Sequence, residues 1–190
     1  ELQVNEKPTT ARTVADHILI PADVLVNGYN RITAQFKSAV APTGTPLTSY
    51  RDPSDGREFY YTLVVPADAH RLYPCFDQPD LRTRFRLDLD LPADWIAVAN
   101  GAEMPVAAQP PEGRRYWSFR ETVPLPTYLM AFACGSFAVV TGPALQAPGI
   151  EAQSPFRMLV RPSQQKNLDR EAVAKLHIEG LRWLCSYFNI

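Results

Sequence analysis

Apolar and polar residues alternate along most of the chain between residues 18 and 161, which predicts a succession of β-strands. The clearest case is Thr83–Leu91, where four apolar side chains take one face and four charged side chains take the other. The pair Asp55-Gly56 predicts a hairpin turn, because such a turn needs a positive φ angle at glycine. The other predicted strands are Leu2–Val4, Tyr29–Phe36, Leu47–Tyr50, Glu58–Val64, Trp95–Ala99, Arg115–Arg120, Tyr128–Cys134, Phe137–Val140 and Phe156–Val160. We therefore expect a mainly β fold of antiparallel sandwich-like or saddle-like sheets.

The period of the pattern changes near Asn167, the expected N-cap of a helix that runs to Phe188. Apolar residues then recur three and four positions apart, which is typical of one stripe of an α-helix. We expect this stripe to pack on the strands or on a segment absent from the sequence, and Gly180 to allow a close approach. Its members are Val173, Leu176, His177, Gly180, Leu181, Leu184, Cys185 and Phe188.

Composition narrows the classes of protein that this chain can represent. Of its 190 residues 46% are hydrophobic and 21% are charged, which is ordinary for a globular domain. A net charge of −1 gives no electrostatic support for nucleic-acid or anionic-membrane partners. No apolar run approaches the roughly 20 residues of a membrane span, and 18 prolines disfavour an all-helical bundle. The first residues lack the pattern of a secretory signal, which favours a cytoplasmic location.

The residues that could carry catalysis or bind metal are few and scattered. Cys75, Cys134 and Cys185 have wide spacings without a metal-binding or disulfide pattern, so we expect buried free thiols. His177 lies on the apolar stripe of the helix and is expected to be a packed core histidine, while His17 and His70 stand alone. No acid, base and nucleophile come together in the pattern. We therefore predict no catalytic residue and no metal ligand in this chain.

The densest group of special residues is Pro66–Leu81, just before the clearest strand. Its prolines fix φ and remove backbone donors. Asp68 and Asp77 can accept backbone hydrogen bonds or pair with Arg71, and we expect these three side chains to form a buried polar corner. Such a network specifies architecture rather than catalysis, because each member has to be satisfied by the others.

Part of this segment also carries a family resemblance. Pro66–Pro79 reads PADAHRLYPCFDQP, which resembles the hallmark of the N-terminal domain of M1-family zinc aminopeptidases, close to PxDARRxFPCFDEP. His70 replaces an Arg of that hallmark, Tyr73 a Phe and Gln78 a Glu. Pro126–Phe137, which reads PTYLMAFACGSF, is similar to a second family segment in the same order along the chain.

The resemblance implies a parent zinc aminopeptidase that removes amino-terminal residues from peptides. The family binds one zinc through a His-Glu-x-x-His motif and a more distant Glu, which belong to a catalytic domain downstream of this chain. On this basis residues 1–162 are the β-rich N-terminal domain, without its first strands, and residues 163–190 are the first helix of a truncated catalytic domain. The fragment alone is expected to bind no zinc, to be inactive and to cap the active-site cleft.

One position that the resemblance marks for substrate binding departs from the family pattern. A Gln or Glu of the family, a few residues before the hallmark Pro, helps to hold the free ammonium group of the substrate. Leu63 stands at that position, and an aliphatic side chain cannot accept a charge-assisted hydrogen bond. The parent then uses acids of the catalytic domain alone, binds amino termini weakly, or has lost peptidase function.

Two other classes of function stay open. A non-catalytic interaction protein or scaffold can be built on the same fold, and Leu63 favours it mildly. An unrelated β-sandwich binding module would require the match over Pro66–Pro79 to be accidental. A His-Glu-x-x-His motif in the residues that follow would distinguish the enzyme from the scaffold.

Overall fold

The computed structural model describes residues 1–144 and 155–189, and it is mainly β with several antiparallel sheets, one C-terminal α-helix and no closed barrel. The fold class predicted from the sequence is therefore confirmed. The helix α1 spans Arg170–Phe188. The strands of the described residues are β1 Leu2–Val4, β2 Lys7–Pro8, β3 Arg12–Val14, β4 His17–Leu19, β5 Ile32–Ala34, β6 Val40–Ala41, β7 Leu47–Arg51, β8 Glu58–Thr62, β9 Arg82–Thr83, β10 Leu87–Pro92, β11 Ile96–Ala99, β12 Glu103–Met104, β13 Arg114–Phe119, β14 Leu125–Pro126, β15 Phe132–Gly135, β16 Ala138–Ala144 and β17 Pro155–Val160.

The largest sheet has the strand order β11-β15-β8-β7-β6. Its β7–β8 connection is the predicted hairpin, in which Gly56 has a φ of +73°. The Asp52 amide donates to Arg57 O at 2.8 Å, and the Gly56 amide donates to Asp52 O at 2.8 Å. Two three-stranded sheets have the orders β2-β1-β5 and β10-β13-β12, and β3–β4, β9–β14 and β16–β17 form two-stranded sheets.

The chain divides into two compact units. The first unit comprises Glu1–Ser49, Tyr61–Leu87 and Arg120–Ala131. It contains the β2-β1-β5 sheet and the β3–β4 hairpin, whose residues are all exposed. A small apolar core of Val64, Ala69 and Leu72 lies under the segment that joins β8 to β9, and it packs against Leu47, Tyr73 and Cys75.

The second unit comprises Tyr50–Tyr60, Asp88–Phe119 and Phe132–Ile190. Its core contains Phe59, Ala97, Trp117, Phe119 and Cys134, all buried. β11 pairs antiparallel with β15, with Ile96 opposite Gly135 and Ala99 opposite Phe132. Gly135 is needed at its place, because a Cβ atom there would lie 2.5 Å from Glu58 O.

Several predicted strands are shorter than the sequence pattern indicated, among them Tyr29–Phe36, of which only Ile32–Ala34 is strand, and two of them contain a break. Thr83–Leu91 is not one strand, because the backbone of Phe85 leaves the ladder to exchange hydrogen bonds with the amide and the hydroxyl group of Thr122. The alternation of half-buried apolar and exposed charged side chains is nevertheless retained there. In Tyr128–Cys134 only the second half is strand, since Thr127–Leu129 form a 3-10 turn. Contacts distant in sequence fix both breaks, so the local pattern could not show them.

The predicted N-cap of the helix was wrong by two residues. Pro162–Asn167 form a 3-10 turn, which Asn167 ends, and α1 begins after Asp169. The Asp169 side chain caps α1 by accepting a hydrogen bond from the Ala172 amide at 3.0 Å. Ile190, the last residue of the region assigned to a second domain, lies outside the described residues.

The buried side of α1 overlaps the predicted stripe only in part. The predicted members Val173, Leu181 and Cys185 are half-buried or buried, whereas the predicted members Leu176, Leu184 and Phe188 are exposed. Ala174, which is buried, and Ile178, which is half-buried, lie outside the predicted stripe. His177 is also exposed, so the prediction of a core histidine was wrong; its ring packs on Phe156 with centroids 5.3 Å apart. The helix carries apolar residues on two sides, and only one of these sides packs against other residues that the structure describes. None of the described helices is long and apolar enough to span a bilayer.

Candidate functional site

The segment Pro66–Pro79 forms a compact corner that follows β8 in the first unit. The Leu63 amide donates to Pro46 O at 2.7 Å, and the chain then turns through the cis peptide bond Val65-Pro66. Ala69–Arg71 form a 3-10 turn, and the Leu72 amide closes it by donating to Ala69 O. The apolar core under the corner holds this turn in place, because Val64, Ala69 and Leu72 are its buried members.

Asp77 is the central acceptor of the corner. Its Oδ2 accepts from the His70 amide at 3.1 Å and contacts His70 Nδ1 at 2.8 Å, while its Oδ1 accepts from the Thr127 hydroxyl at 2.7 Å. The Asp77 side chain is 10% exposed and that of His70 is 42% exposed. Burial raises the pKa of the Asp77 carboxyl, but the hydrogen bonds from Thr127 and His70 outweigh burial and leave that pKa below its ordinary value. Asp77 is therefore an ionised structural anchor.

Arg71 does not belong to this buried network, contrary to the expectation from the sequence. It pairs with Asp68 at 3.1 Å and donates to Gly44 O at 2.9 Å. The Arg71 side chain is 48% exposed and that of Asp68 is 38% exposed. The side chain of this segment that contacts Asp77 is His70, the residue that replaces an arginine in the hallmark. The corner thus separates into a buried half around Asp77 and a solvated half around Arg71.

Tyr73 and Cys75 pack beside Asp77, and both are poor nucleophiles there. Burial and the neighbouring Asp77 raise the pKa of the Cys75 thiol to about 11. Burial also raises the pKa of Tyr73, whose hydroxyl donates to Thr127 O at 3.3 Å and whose ring meets Phe85 edge-on. Because a thiol reacts as thiolate, a raised pKa makes Cys75 inert at neutral pH.

Leu63, the predicted substrate-binding position, lies just before the corner and projects outward. Its side chain is 60% exposed, and the side chains of Tyr61 and Val65, two positions before and after it, are also exposed. Val64, between them, is buried in the apolar core. The structure thus gives Leu63 an accessible side chain with no polar function.

A metal ion finds no suitable set of ligands in the residues that the structure describes. No group of three or more His, Cys, Asp or Glu side chains within 1–144 and 155–189 could hold one. His17 is exposed in the β3–β4 hairpin and approaches Ala15 O, and His177 approaches Val173 O of its own helix. The residues present therefore do not fit a zinc site. The three cysteines are free, two of them buried and Cys75 half-buried.

The sequence reasoning missed a second carboxylate centre, which lies in the second unit. Asp52 is 3% exposed and accepts from the Ser54 amide at 2.9 Å, the Ser54 hydroxyl at 2.6 Å and the Ser163 hydroxyl at 2.6 Å. Arg161 Nη1 donates to it at 3.2 Å and also lies 2.6 Å from the Tyr50 hydroxyl. Hydrogen bonds from Ser163 and Ser54 lower the pKa of Asp52 to about 2. This centre fastens the segment before α1 to the β7–β8 hairpin.

Comparison with known proteins assigns this architecture to one family of domains. The family model described as the peptidase M1 N-terminal domain matches residues 5–129, which include the whole corner. Aminopeptidase N of Streptomyces lividans is 26% identical over 165 residues, covering 87% of this chain and 18% of that protein. Aminopeptidase N of Acetobacter pasteurianus is 32% identical over 127 residues, covering 62% of this chain and 35% of that protein.

A third relative, from another organism, matches a shorter part of this chain. Probable M1 family aminopeptidase 1 of Encephalitozoon cuniculi is 34% identical over 84 residues, covering 44% of this chain and 10% of that protein. The matched region therefore spans between 10% and 35% of the length of these three relatives.

Proposed function

Because this chain belongs to the peptidase M1 N-terminal domain family, we propose that it is the N-terminal domain of a zinc-dependent aminopeptidase, with the first helix of the catalytic domain attached. The observation that carries the proposal is the family match over residues 5–129 together with the intact corner inside it. The substrates of the whole protein would be peptides with a free amino terminus. Relatives named aminopeptidase in bacteria, plants and microsporidia support this activity for the longer protein.

The domain boundary in this proposal lies at residue 162. Residues 1–162 would form the β-rich domain that caps the active-site cleft, and residues 163–190 would begin the catalytic domain. The exposed apolar side of α1 supports this division, because a contiguous set of large apolar side chains on a surface usually marks an interface. Its members are Leu176, Trp183, Leu184, Tyr187 and Phe188, all exposed in this chain.

The fluorescence of Trp183 can test this division. In a longer product that continues beyond Ile190, Trp183 should become inaccessible to the quencher acrylamide, whereas in the 190-residue chain it is quenched. The chain contains three tryptophans, so Trp183→Phe in both products isolates its signal. Equal quenching of Trp183 in the two products would contradict the assignment of α1 to a following domain.

The zinc of the longer protein would be held by residues outside this chain, because the described residues do not offer a ligand set. The 190-residue chain should then show no turnover of amino-acid p-nitroanilides, with or without added zinc, while the longer protein hydrolyses them. Turnover by the purified chain that survives removal of host peptidases would contradict this. The longer protein should also contain about one zinc per chain, as expected for a catalytic site of this kind.

Leu63 is proposed to face the amino group of the substrate without binding it through a polar contact. Amino-terminal recognition would then depend on the catalytic domain. In the longer enzyme, Leu63→Gln should lower KM for substrates with a free amino group, because the new carboxamide oxygen can accept a hydrogen bond from the ammonium. The matched control is Val65→Gln, since Val65 is two positions away and similarly exposed. If Leu63→Gln and Val65→Gln change KM equally, Leu63 does not lie in the substrate site.

The second candidate is a non-catalytic scaffold on the same fold, and Leu63 is the observation that favours it. A family position that normally accepts a hydrogen bond carries an aliphatic side chain here, as expected if selection for substrate binding had ceased. The longer gene product distinguishes the two functions. A scaffold would lack the His-Glu-x-x-His motif, bind no stoichiometric zinc and leave p-nitroanilides intact.

A further inference from the structure

The chain contains two Asn-Gly pairs, Asn27-Gly28 and Asn100-Gly101, in different surroundings. In such a pair the backbone nitrogen of glycine can attack the side-chain amide carbon of asparagine, because glycine has no Cβ to obstruct the approach. The reaction requires the asparagine side chain to rotate towards the next backbone nitrogen. Hydrogen bonds that hold either group therefore protect the pair.

Asn27-Gly28 lies in an exposed loop between the 3-10 turn Ala22–Val24 and β5. Gly28 has a φ of +93°, and nothing lies within 4 Å of the place where a Cβ would be. Among the described residues, no hydrogen bond holds the Asn27 side chain or the Gly28 amide. Both reacting groups of this pair are thus free in solvent.

The loop around Asn27 is nevertheless fixed at both sides. The Val26 amide donates to the side-chain oxygen of Asn30, and the Asn30 side-chain amide donates to Val26 O and Gly28 O. Asn30 therefore engages the carbonyl groups of Val26 and Gly28, whereas the Gly28 nitrogen belongs to the preceding peptide, and Gly28 as a residue is exposed. The fold presents this pair to solvent rather than burying it in a strand.

Asn100-Gly101 has a different environment, at the connection between β11 and β12 in the second unit. Asn100 is exposed but takes part in a non-covalent interaction, and Gly101 is half-buried, whereas Asn27 and Gly28 are both exposed. The base that removes the proton from the glycine nitrogen therefore has less access to Gly101 than to Gly28. The two pairs differ in burial and in partners, and both differences favour reaction at Asn27.

We propose that Asn27 is a site of spontaneous covalent modification in the folded protein and that Asn100 is protected. The deprotonated Gly28 nitrogen forms a bond to the Asn27 side-chain carbon, the carbon–nitrogen bond of the side-chain amide breaks, and ammonia leaves with the proton taken from water. Water then opens the succinimide ring at either carbonyl and leaves aspartate or isoaspartate at position 27. The product adds one negative charge to the loop, and the isoaspartate form also lengthens the backbone beside the residues that Asn30 fixes.

The test follows both pairs in one sample of the 190-residue chain, incubated at pH 8 and sampled over days. Peptide mapping by mass spectrometry, with fragmentation that separates isoaspartate from aspartate, measures each position. The expected result is product accumulating severalfold faster at position 27 than at position 100 in the native chain, and at similar rates in urea. Asn27→Gln should abolish the fast signal, and Asn100→Gln should leave it unchanged.

Three outcomes would overturn the proposal. The first is equal accumulation at the two positions of the native chain, or faster accumulation at position 100. The second is the same preference for position 27 in urea, which would assign the difference to local sequence rather than to the fold. The third is no modification at either position of the native chain while both react in urea. Near-ultraviolet circular dichroism before and after incubation verifies that the native samples stay folded.

Discussion

Asp52 and Asp77 are both carboxylates at the centre of a hydrogen-bond network, but they differ in the partners that hold them. Asp52 accepts from two serine hydroxyls, a backbone amide and Arg161. Asp77 accepts from one threonine hydroxyl and a backbone amide, and its Oδ2 also contacts the imidazole of His70. Arg161 brings a guanidinium to Asp52, and a guanidinium presents several donors in a fixed fork. The fold thus has one carboxylate paired with an arginine and one held by hydroxyl, amide and imidazole groups.

The two centres also differ in what they connect. Asp52, in the β7–β8 hairpin, is joined to side chains more than 100 positions later in the chain, with sequence separations of 109 and 111. Asp77 is joined to His70 within its own corner and to Thr127, 50 positions away. Loss of the hydrogen bonds to Asp52 would therefore detach the segment before α1 from the β7–β8 hairpin. Loss of the hydrogen bonds to Asp77 would affect only the corner Pro66–Pro79 and its contact with Thr127.

The largest expected effect is that of Asp52→Asn, which removes the charge that Arg161 and Ser163 share. We expect the largest fall in Tm of the four variants at pH 7, because Arg161 loses its charged partner and the new NH2 group faces either the Ser54 donors or the donors of Ser163 and Arg161. The pH dependence sharpens the test. The folded pKa of about 2 lies below the ordinary value of 3.8, so the stabilisation is complete above about pH 4 and is lost as pH falls towards 2.

Thermal unfolding from pH 2 to 7 measures both parts of this prediction. The fall in Tm of the wild type below pH 4 should be partly absent in Asp52→Asn, since that variant has no charge to lose there. Asp16→Asn is the matched control, because Asp16 sits in an exposed turn with a φ of +64° that asparagine tolerates. If both variants lower Tm equally, net charge rather than the network explains the effect.

The second effect is that of Asp77→Asn, for which we expect a loss of about 2 kcal/mol in the free energy of unfolding. The new NH2 group would face either the donors of His70 or the hydroxyl of the buried Thr127, so at least one donor loses its acceptor. Urea unfolding at pH 7 measures the loss. Wild-type stability would show that the buried half of the corner has no energetic role.

These two centres also show how far the sequence predicts this fold. The corner could be predicted from the sequence because its prolines, Asp77 and the family hallmark lie within one short segment. Asp52 carried no local signal, since its partners Arg161 and Ser163 lie in a different part of the chain and ordinary turn residues surround it. Hydrophobic alternation predicted the mainly β fold and the hairpin at Gly56, because both depend on neighbours in sequence. The break at Phe85 depends on Thr122 and was not predictable in this way.

The helix α1 also shows that a local sequence pattern does not contain contacts with distant parts of the chain. Spacing predicted α1 correctly, but it could not select between two apolar sides of the helix. The predicted stripe combined Leu176 and Leu184, which are exposed, with Cys185, which is buried, because spacing and hydrophobicity do not separate the two sides. The rotation of a helix is fixed by what it packs against, and a sequence pattern does not contain that surface.

The third effect, smaller than the first two, is that of His70→Arg. Arginine, the residue of the hallmark at this position, can place two guanidinium donors on the carboxylate of Asp77. Because His70 is 42% exposed, we expect the change in stability to stay within about 1 kcal/mol. Urea unfolding of the wild type and the variant at pH 7 measures it. A loss as large as that of Asp77→Asn would contradict this prediction, because it would show that the corner requires the imidazole itself.

The smallest effect should be that of Arg71→Ala, although the sequence led us to expect Arg71 inside the buried network. Both members of the Arg71–Asp68 pair are more than a third exposed, and exposed pairs contribute about 0.5 kcal/mol. The hydrogen bond from Arg71 to Gly44 O reaches a carbonyl in an exposed loop that water can solvate instead. Urea unfolding of Arg71→Ala, Asp68→Asn and the double variant gives the coupling energy of the pair directly. A coupling as large as the loss in Asp77→Asn would mean that the two halves of the corner form one network, and the contrast between solvated and buried charge within it would no longer hold.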